Sequence, residues 1–228
     1  MIKEIPSDFT VNVTEEPPQF QLNETEKQLV EEIWRGEHRE TKVEGLFLHL
    51  INIHERSVTG SFVPYKYYLA QEKVPTIRDK LQLCPVALSG VTLAGDSLLL
   101  GQRSHTVTQF PLYWEFAPSG GIDDRFVEKN RVDYRRQIMQ ELEEETGIDR
   151  QYINEVAPKW LYLDRDAPIV DICLEIHINK EGKNPFKKPT AEYLALEWVD
   201  RAKLTEFFHL HQDQFVPTTI DLISKIIK

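Results

Sequence analysis

Gln140-Glu141-Leu142-Glu143-Glu144-Glu145-Thr146-Gly147-Ile148 lies nineteen residues beyond the pair Gly120-Gly121 and sets three carboxylates beside a glycine turn. On a helix, positions i, i+3 and i+4 share a face, so Glu141, Glu144 and Glu145 point together, with Ile138, Met139 and Leu142 on the adjoining arc. Carboxylates that close repel one another unless a cation sits among them. Hard oxygen donors at this density suit Mg²⁺ or Mn²⁺, and carboxylate-bound Mg²⁺ commonly completes its shell with substrate phosphates. A Glu-rich helical run taken alone is usually a solvated face. Two neighbours argue for more: the strand-like run 112–116 leads into Pro118-Ser119-Gly120-Gly121, and Gly147 stands where a left-handed C-cap is expected.

The stretch resembles the catalytic half of a Nudix box, whose pattern is Gly, five residues, Glu, seven residues, then Arg-Glu-apolar-x-Glu-Glu-x-Gly-apolar. The second half matches at every position but one, since Gln140 stands where the family has Arg. The first half departs further. Neither register finds the first Glu: Val127 and Val132 occupy those places, Glu128 is the nearest carboxylate, and Gly121 to Glu141 is five residues longer than the family spacing. Gln140 can give Glu144 only a neutral hydrogen bond. A stretched box opening on Gln-Glu is similar to an atypical Nudix branch that hydrolyses UDP-sugars and carries an N-terminal extension. The likeness spans roughly residues 28–148 and includes Ile33-Trp34, Leu46-Phe47-Leu48-His49, Tyr65-Lys66-Tyr67-Tyr68-Leu69 and the run 98–104 in the same order.

A chain of 228 residues, 41% hydrophobic and 28% charged, suits one compact unit with an appendage. The longest apolar stretch, 46–53, is broken by His49 and Asn52 and is far short of the roughly 20 residues that cross a bilayer. The start Met1-Ile2-Lys3-Glu4-Ile5-Pro6 lacks the apolar core of a secretion signal, and Cys84 and Cys173 alone make no disulfide framework, so the cytoplasm is the expected compartment. A net charge of −10 disfavours long nucleic acid as a partner. A small anionic nucleotide remains feasible where divalent cations and local arginines neutralise it.

A charged connector near residue 80 divides the chain into a small α+β extension, residues 1–80, and a second part, 81–228, which the resemblance implies is a Nudix domain. Residues 1–23 read as an extended arm, after which Asn23 caps a helix ending near Trp34 or Arg35. Strands follow at 43–53 and 62–69 around a turn at Thr59-Gly60, then a charged connector at 72–82 with a short helix at 76–81. The second part opens on a hairpin, 85–93 and 97–102, turning at Ala94-Gly95-Asp96. Beyond the Glu-rich helix come strands at 159–164, 168–179 and 192–199 and helices at 201–209 and 218–227. The family likeness implies the fold: an α/β/α sandwich around a mixed sheet.

The resemblance implies that Glu141, Glu144 and Glu145 hold metal and that the carbonyl of the box glycine, Gly121, adds a ligand. It also implies a further acidic residue near the metals, here Glu192; Glu145 or Glu192 would be the base. From the residues themselves, Arg103 offers bidentate phosphate binding, and Trp114, Phe116, Tyr65 and Tyr68 offer a face for a base. The activity implied is Mg²⁺- or Mn²⁺-dependent cleavage of a nucleoside diphosphate linked to another group, with a UDP-sugar as the leading substrate. An ADP-sugar or dinucleotide stays open, as does a catalytically silent nucleotide-binding module. No serine-hydrolase elbow and no P-loop are present.

Overall fold

A computed structural model describes residues 1–16, 18–36, 45–164, 168–183 and 190–227. Their elements are β1 (Ile2–Glu4), β2 (Thr10–Val13), α1 (Glu24–Gly36), β3 (Leu46–Ile53), β4 (Ser57–Pro64), α2 (Tyr65–Lys73), α3 (Pro75–Leu81), β5 (Val86–Ala94) and β6 (Ser97–Arg103). There follow β7 (Trp114–Phe116), β8 (Ser119–Gly121), β9 (Val127–Glu128), β10 (Arg131–Val132), α4 (Tyr134–Thr146), β11 (Ile153–Leu163), β12 (Val170–Ile178), β13 (Tyr193–Asp200), α5 (Leu204–Leu210) and α6 (Pro217–Ile226).

Eight strands form a mixed sheet ordered β1-β11-β12-β5-β6-β13, with β7 added to β6 and β8 to β5. β12 runs parallel to β5, and every other pairing in the sheet is antiparallel. The period-2 side-chain rule splits β5 and β6 between two cores. Leu88 and Leu99 face α4 with Ile138 and Leu142, while Leu93, Leu98 and Leu100 face α5 and α6 with Leu204, Leu222 and Ile223. Each Leu or Ile so buried contributes roughly 1.5–3 kcal/mol. The expected α/β/α sandwich around a mixed sheet is therefore the observed fold. No described helix is long and apolar enough to cross a membrane.

A second sheet, β3-β4-β2-β10-β9, lies over the α4 side. It changes the reading of the N-terminal part. The arm is not loose: β1 pairs with β11 of the large sheet, and β2 lies between β4 and β10. Phe9, Val11, Leu48 and Val58 share one core with Leu88, Ile138 and Leu142, while Leu22, Val30, Val63, Ala70 and Ile77 pack in a further cluster within the N-terminal part.

Local chemistry explains where the elements begin and end. Asn23 Oδ1 accepts from Glu26 N while Glu26 Oε2 accepts from Asn23 N, both at 2.9 Å, a reciprocal capping box at the start of α1. Pro64 ends β4, and the aromatic run that reads as strand from 65 to 69 opens α2 instead, where the helix formers Leu69-Ala70-Gln71-Glu72-Lys73 follow. Thr59-Gly60 is not a turn but mid-strand; the chain reverses at Glu55-Arg56. Gly60 is needed there because a Cβ would stand 2.6 Å from the His49 carbonyl. The expected strand 43–53 is seen from Leu46, and residues 43 and 44 lie outside the described ones.

Candidate active site

β5 and β6 pair only at Leu93↔Leu98 and Ala94↔Ser97, then diverge. β8 and β7 fill the two arms of this split, and a cleft of about 1040 Å³ opens between them. Its lining runs from Phe47, Tyr65 and Tyr68 of the N-terminal segment, past Arg103 and the loop 106–110, to Gly120, Glu141 and Glu145.

The acidic end is built by α4. Asp133 caps it by accepting from Arg136 N at 3.0 Å, and Gly147 closes it in the left-handed conformation at φ 72°. Glu141 and Glu145, one turn apart, face the β8 strand. A Cβ on Gly120 would lie 3.4 Å from Glu141 Cδ, so the glycine lets the carboxylate sit against the backbone. Glu145 is only 6% exposed, and its Oε2 accepts from Ser119 N at 3.2 Å. Burial, then the charges of Glu141, Glu115 and Glu192, pushes the Glu145 carboxyl well above the ordinary carboxylate range. Burial likewise raises Glu141 to about 6, although hydrogen bonding to Gln137 opposes it.

The expected trio divides. Glu144 is exposed, accepts from Gln140 Nε2 at 2.6 Å, and does not line the cleft. Positions 141 and 145 stack along the axis, whereas 144 is rotated toward solvent, where Gln140 holds it. Among the described residues no three His, Cys, Asp or Glu side chains form a group able to hold a metal ion. The donor chemistry nonetheless fits a hard divalent cation, because a buried and a half-buried carboxylate set together at one end of a cleft lack sufficient positive charge around them. The nearest cation to Glu141 is Arg125, 3.8 Å away and itself engaged by Asp123 at 2.6 Å.

Beyond α4 the cleft brings in Arg103, Phe116, Tyr65, Tyr68, Gly121 and Glu192. Glu192 stands just before β13 rather than in it, and its carbonyl accepts from Ser104 N at 2.6 Å. The Gly121 carbonyl accepts from Gln137 Nε2 at 2.8 Å, so one of its lone pairs is already used. Trp114 is a correction: it is buried in the second core, edge-on to Phe207 at 5.1 Å and beside His211, and it does not line the cleft. The pleat of β7 turns Trp114 and Phe116 toward α5 and α6, and Glu115 the other way.

Glu115 is the residue sequence reasoning missed. Its Oε1 accepts from Arg103 Nη1 at 2.5 Å, Ser119 Oγ at 2.9 Å and the Tyr193 hydroxyl at 3.0 Å. A lone Glu inside the aromatic strand Trp114-Glu115-Phe116 was the available signal, because a charge buried in a strand needs a partner. Gln137, one turn before Glu141, was missed as well.

No family model and no curated protein matches the sequence. Among solved structures, the chain resembles DR0079 from Deinococcus radiodurans at 14% identity, covering 79% of this chain and 99% of that one with a TM-score of 0.52. It also resembles a bifunctional NMN adenylyltransferase/ADP ribose pyrophosphatase from Francisella tularensis, complexed with AMP and Mn, at 16% identity and TM-score 0.49; the match covers 71% of this chain and 45% of that one. A third is a Nudix hydrolase from Nitrosomonas europaea, at 13% identity, 82% and 89% coverage and TM-score 0.44. Identities this low speak to architecture alone, and the architecture shared with DR0079 is the α/β/α sandwich around a mixed sheet.

Proposed function

We propose that the protein is a divalent-metal-dependent pyrophosphohydrolase that cleaves a nucleoside diphosphate linked to another group, with UDP-sugars as the leading substrate class. One observation carries this reading: a single cleft has half-buried Glu141 and buried Glu145 at one end, Arg103 in its wall, and the rings of Tyr65 and Tyr68 at the other. Water would attack one phosphorus of the bridge, the bond from that phosphorus to the bridging oxygen would break, and the second phosphate would leave. From UDP-glucose the products would be UMP and glucose 1-phosphate.

Glu141 and Glu145 would hold Mg²⁺ or Mn²⁺, with Glu144 at the rim and the free lone pair of the Gly121 carbonyl as further donors. Such an ion supplies positive charge to the phosphoryl oxygens and acidity to the attacking water. Glu192 or Glu145 takes the proton. Arg103, held by Glu115, faces the phosphates, and Tyr65 and Tyr68 line the space left for the nucleoside; Phe116, buried on the α5–α6 side of β7, stands behind that wall. The surface charge of −10 suits a small ligand neutralised locally rather than a long polyanion.

One observation favours a second reading, a nucleotide-binding module without turnover: Glu144 is drawn off the cleft by Gln140. Product analysis over UDP-sugars, ADP-sugars and dinucleotides, with Mg²⁺, with Mn²⁺ and with chelator, separates the two. Metal-dependent release of a nucleoside monophosphate supports the hydrolase. Tight nucleotide binding with no product under any metal supports the silent module.

A further inference from the structure

A hydrogen-bonded chain runs along the cleft wall from its aromatic end to its acidic end. Gln109 Nε2 donates to the Tyr68 hydroxyl at 2.5 Å, and the Gln109 carbonyl accepts from Arg103 Nε at 3.1 Å. Arg103 Nη1 reaches Glu115, which accepts from Ser119 Oγ, and Ser119 N reaches Glu145. Gln109 is thus the joint between the N-terminal aromatic wall and the cation in the middle of the cleft.

It sits on a loop shaped for such a role. The loop between β6 and β7 is closed at its base by Arg103 N to Tyr113 O and Leu112 N to Arg103 O, and all five residues 106–110 line the cleft. Phe110 and Leu112 hold φ of 48° and 69°, which turns the loop tip inward. Compact loops of this type, positioned by a rigid sheet, are where binding residues concentrate. Beside the loop, half-buried Tyr65 packs over the buried rings of Phe47 and Tyr68, with ring centroids 5.6–6.5 Å apart. Aromatic faces stack nucleobases whatever their identity. The edge of the base must then be met by polar groups. Gln109 supplies them: one Nε2 proton is given to Tyr68, while its second proton and its Oε1 remain for a ligand.

We infer that Gln109 is a base-recognition residue: with the nucleobase packed on Tyr65, which Phe47 and Tyr68 back, its side-chain amide pairs with the base edge while its carbonyl keeps Arg103 at the phosphates. The inference rests on the nucleotide reading above and deepens it by assigning the base its place. Donor and acceptor on one amide match an adjacent acceptor and donor on a base edge. Tyr68 holds the amide against the aromatic wall, and burial, followed by nearby Glu72 and Tyr65, keeps that phenol neutral.

The test is equilibrium binding of UMP, AMP and ribose 5-phosphate, by calorimetry in chelator, to wild type, Gln109→Ala and Tyr68→Phe. Gln109→Ala should weaken the better-bound nucleotide by about tenfold, the loss of one net hydrogen bond, and leave ribose 5-phosphate unchanged. With substrate, its KM should rise while kcat stays put. Tyr68→Phe keeps the ring and removes the hydroxyl, so it should weaken nucleotide binding in the same sense, and the double variant should lose less than the sum. Equal weakening of nucleotide and ribose 5-phosphate would overturn the base role, and so would unchanged nucleotide affinity in a folded Gln109→Ala protein. Wild type that binds and hydrolyses no nucleotide overturns the hydrolase reading with it. Wild type that hydrolyses nucleotide conjugates while Gln109→Ala matches it overturns this inference alone.

Discussion

Glu141→Gln separates what the acidic end of the cleft costs the fold from what it gives the chemistry. Glu141 is 14% exposed at its side chain, and burial lifts its carboxyl from the ordinary 4.5 to about 6, with Gln137 and Arg125 lowering it and Glu144 and Asp123 raising it. At 1.36 kcal/mol per tenfold change in proton affinity, the rise corresponds to ~2 kcal/mol that the ionised form costs the folded chain. The acid is protonated in both folded and unfolded chains below 4.5, so its stability contribution is complete there. It is lost as pH rises from 4.5 through about 6, because the unfolded chain releases the proton first. Glutamine keeps the shape and never ionises. In chelator at pH 8, Glu141→Gln should therefore raise Tm by ~4–8 °C, on the basis of ~2–4 °C per kcal/mol for a chain of this size; at pH 4 the gain should vanish. Mg²⁺ should reverse the order, stabilising wild type by mass action and the variant much less. Turnover of the variant should fall at least about a hundredfold, ~2.7 kcal/mol of transition-state stabilisation. Differential scanning fluorimetry across pH and Mg²⁺, beside product assays, measures all of it. A variant no more stable than wild type in chelator at pH 8 would refute the burial argument, and near-normal turnover at saturating Mg²⁺ would remove Glu141 from the metal site.

Gln140→Arg tests the departure from the family box: with Arg150 already 3.3 Å from Gln140 Oε1, a second cation beside Glu144 should weaken apparent Mg²⁺ affinity and leave turnover equal or lower. A clear gain in turnover across a Mg²⁺ titration would instead mark the native box as decayed. Gly60→Ala sets a Cβ 2.6 Å from the His49 carbonyl and should cost about 1–3 kcal/mol, read as a lower urea midpoint with unchanged slope; an unchanged midpoint would mean that β3 and β4 can part.

The sandwich was legible because its signals are local. The alternation Ile172, Leu174, Ile176, Ile178 gave β12, Gly95 gave the hairpin turn at φ 62°, and Gly147 gave the end of α4. Partnership across the sheet was not local and was not legible. Helical spacing alone set three carboxylates on one face, but β8 covers only Glu141 and Glu145, and Glu145 is too buried for the open face that spacing suggests. Trp114 and Phe116 share a side of β7, yet only Phe116 reaches the cleft, since α5 closes over the other. Glu115 is invisible as a site residue until Arg103, Ser119 and Tyr193 converge on it from three other parts of the chain.

The five extra residues of the box and the N-terminal arm turn out to be one device. Residues 127–132 form a hairpin that turns through Lys129 and Asn130 at φ 50° and 61°, the left-handed pair that tight hairpins require. Val127 and Val132, which stand where the family pattern has its first Glu, are cross-strand partners in it; Val132 is buried and Val127 packs on the same core. A carboxylate in either place would have to enter that core unpaired. Glu128 is no substitute, since it is exposed and only 4.0 Å from Arg136. β10 then pairs with β2, the Asn130 carbonyl accepts from Val13 N at 2.9 Å, and the Tyr134 hydroxyl donates to the Phe9 carbonyl at 2.7 Å. The start of α4 is thereby tied to the arm, and the helix that carries Glu141 and Glu145 takes its position partly from residues that precede the large sheet. On that helix Gln137 reaches both Gly121 O, at 2.8 Å, and Glu141 Oε1, at 3.4 Å, linking the glycine turn to the carboxylate one turn later. The loop, for its part, builds a sheet with the N-terminal strands.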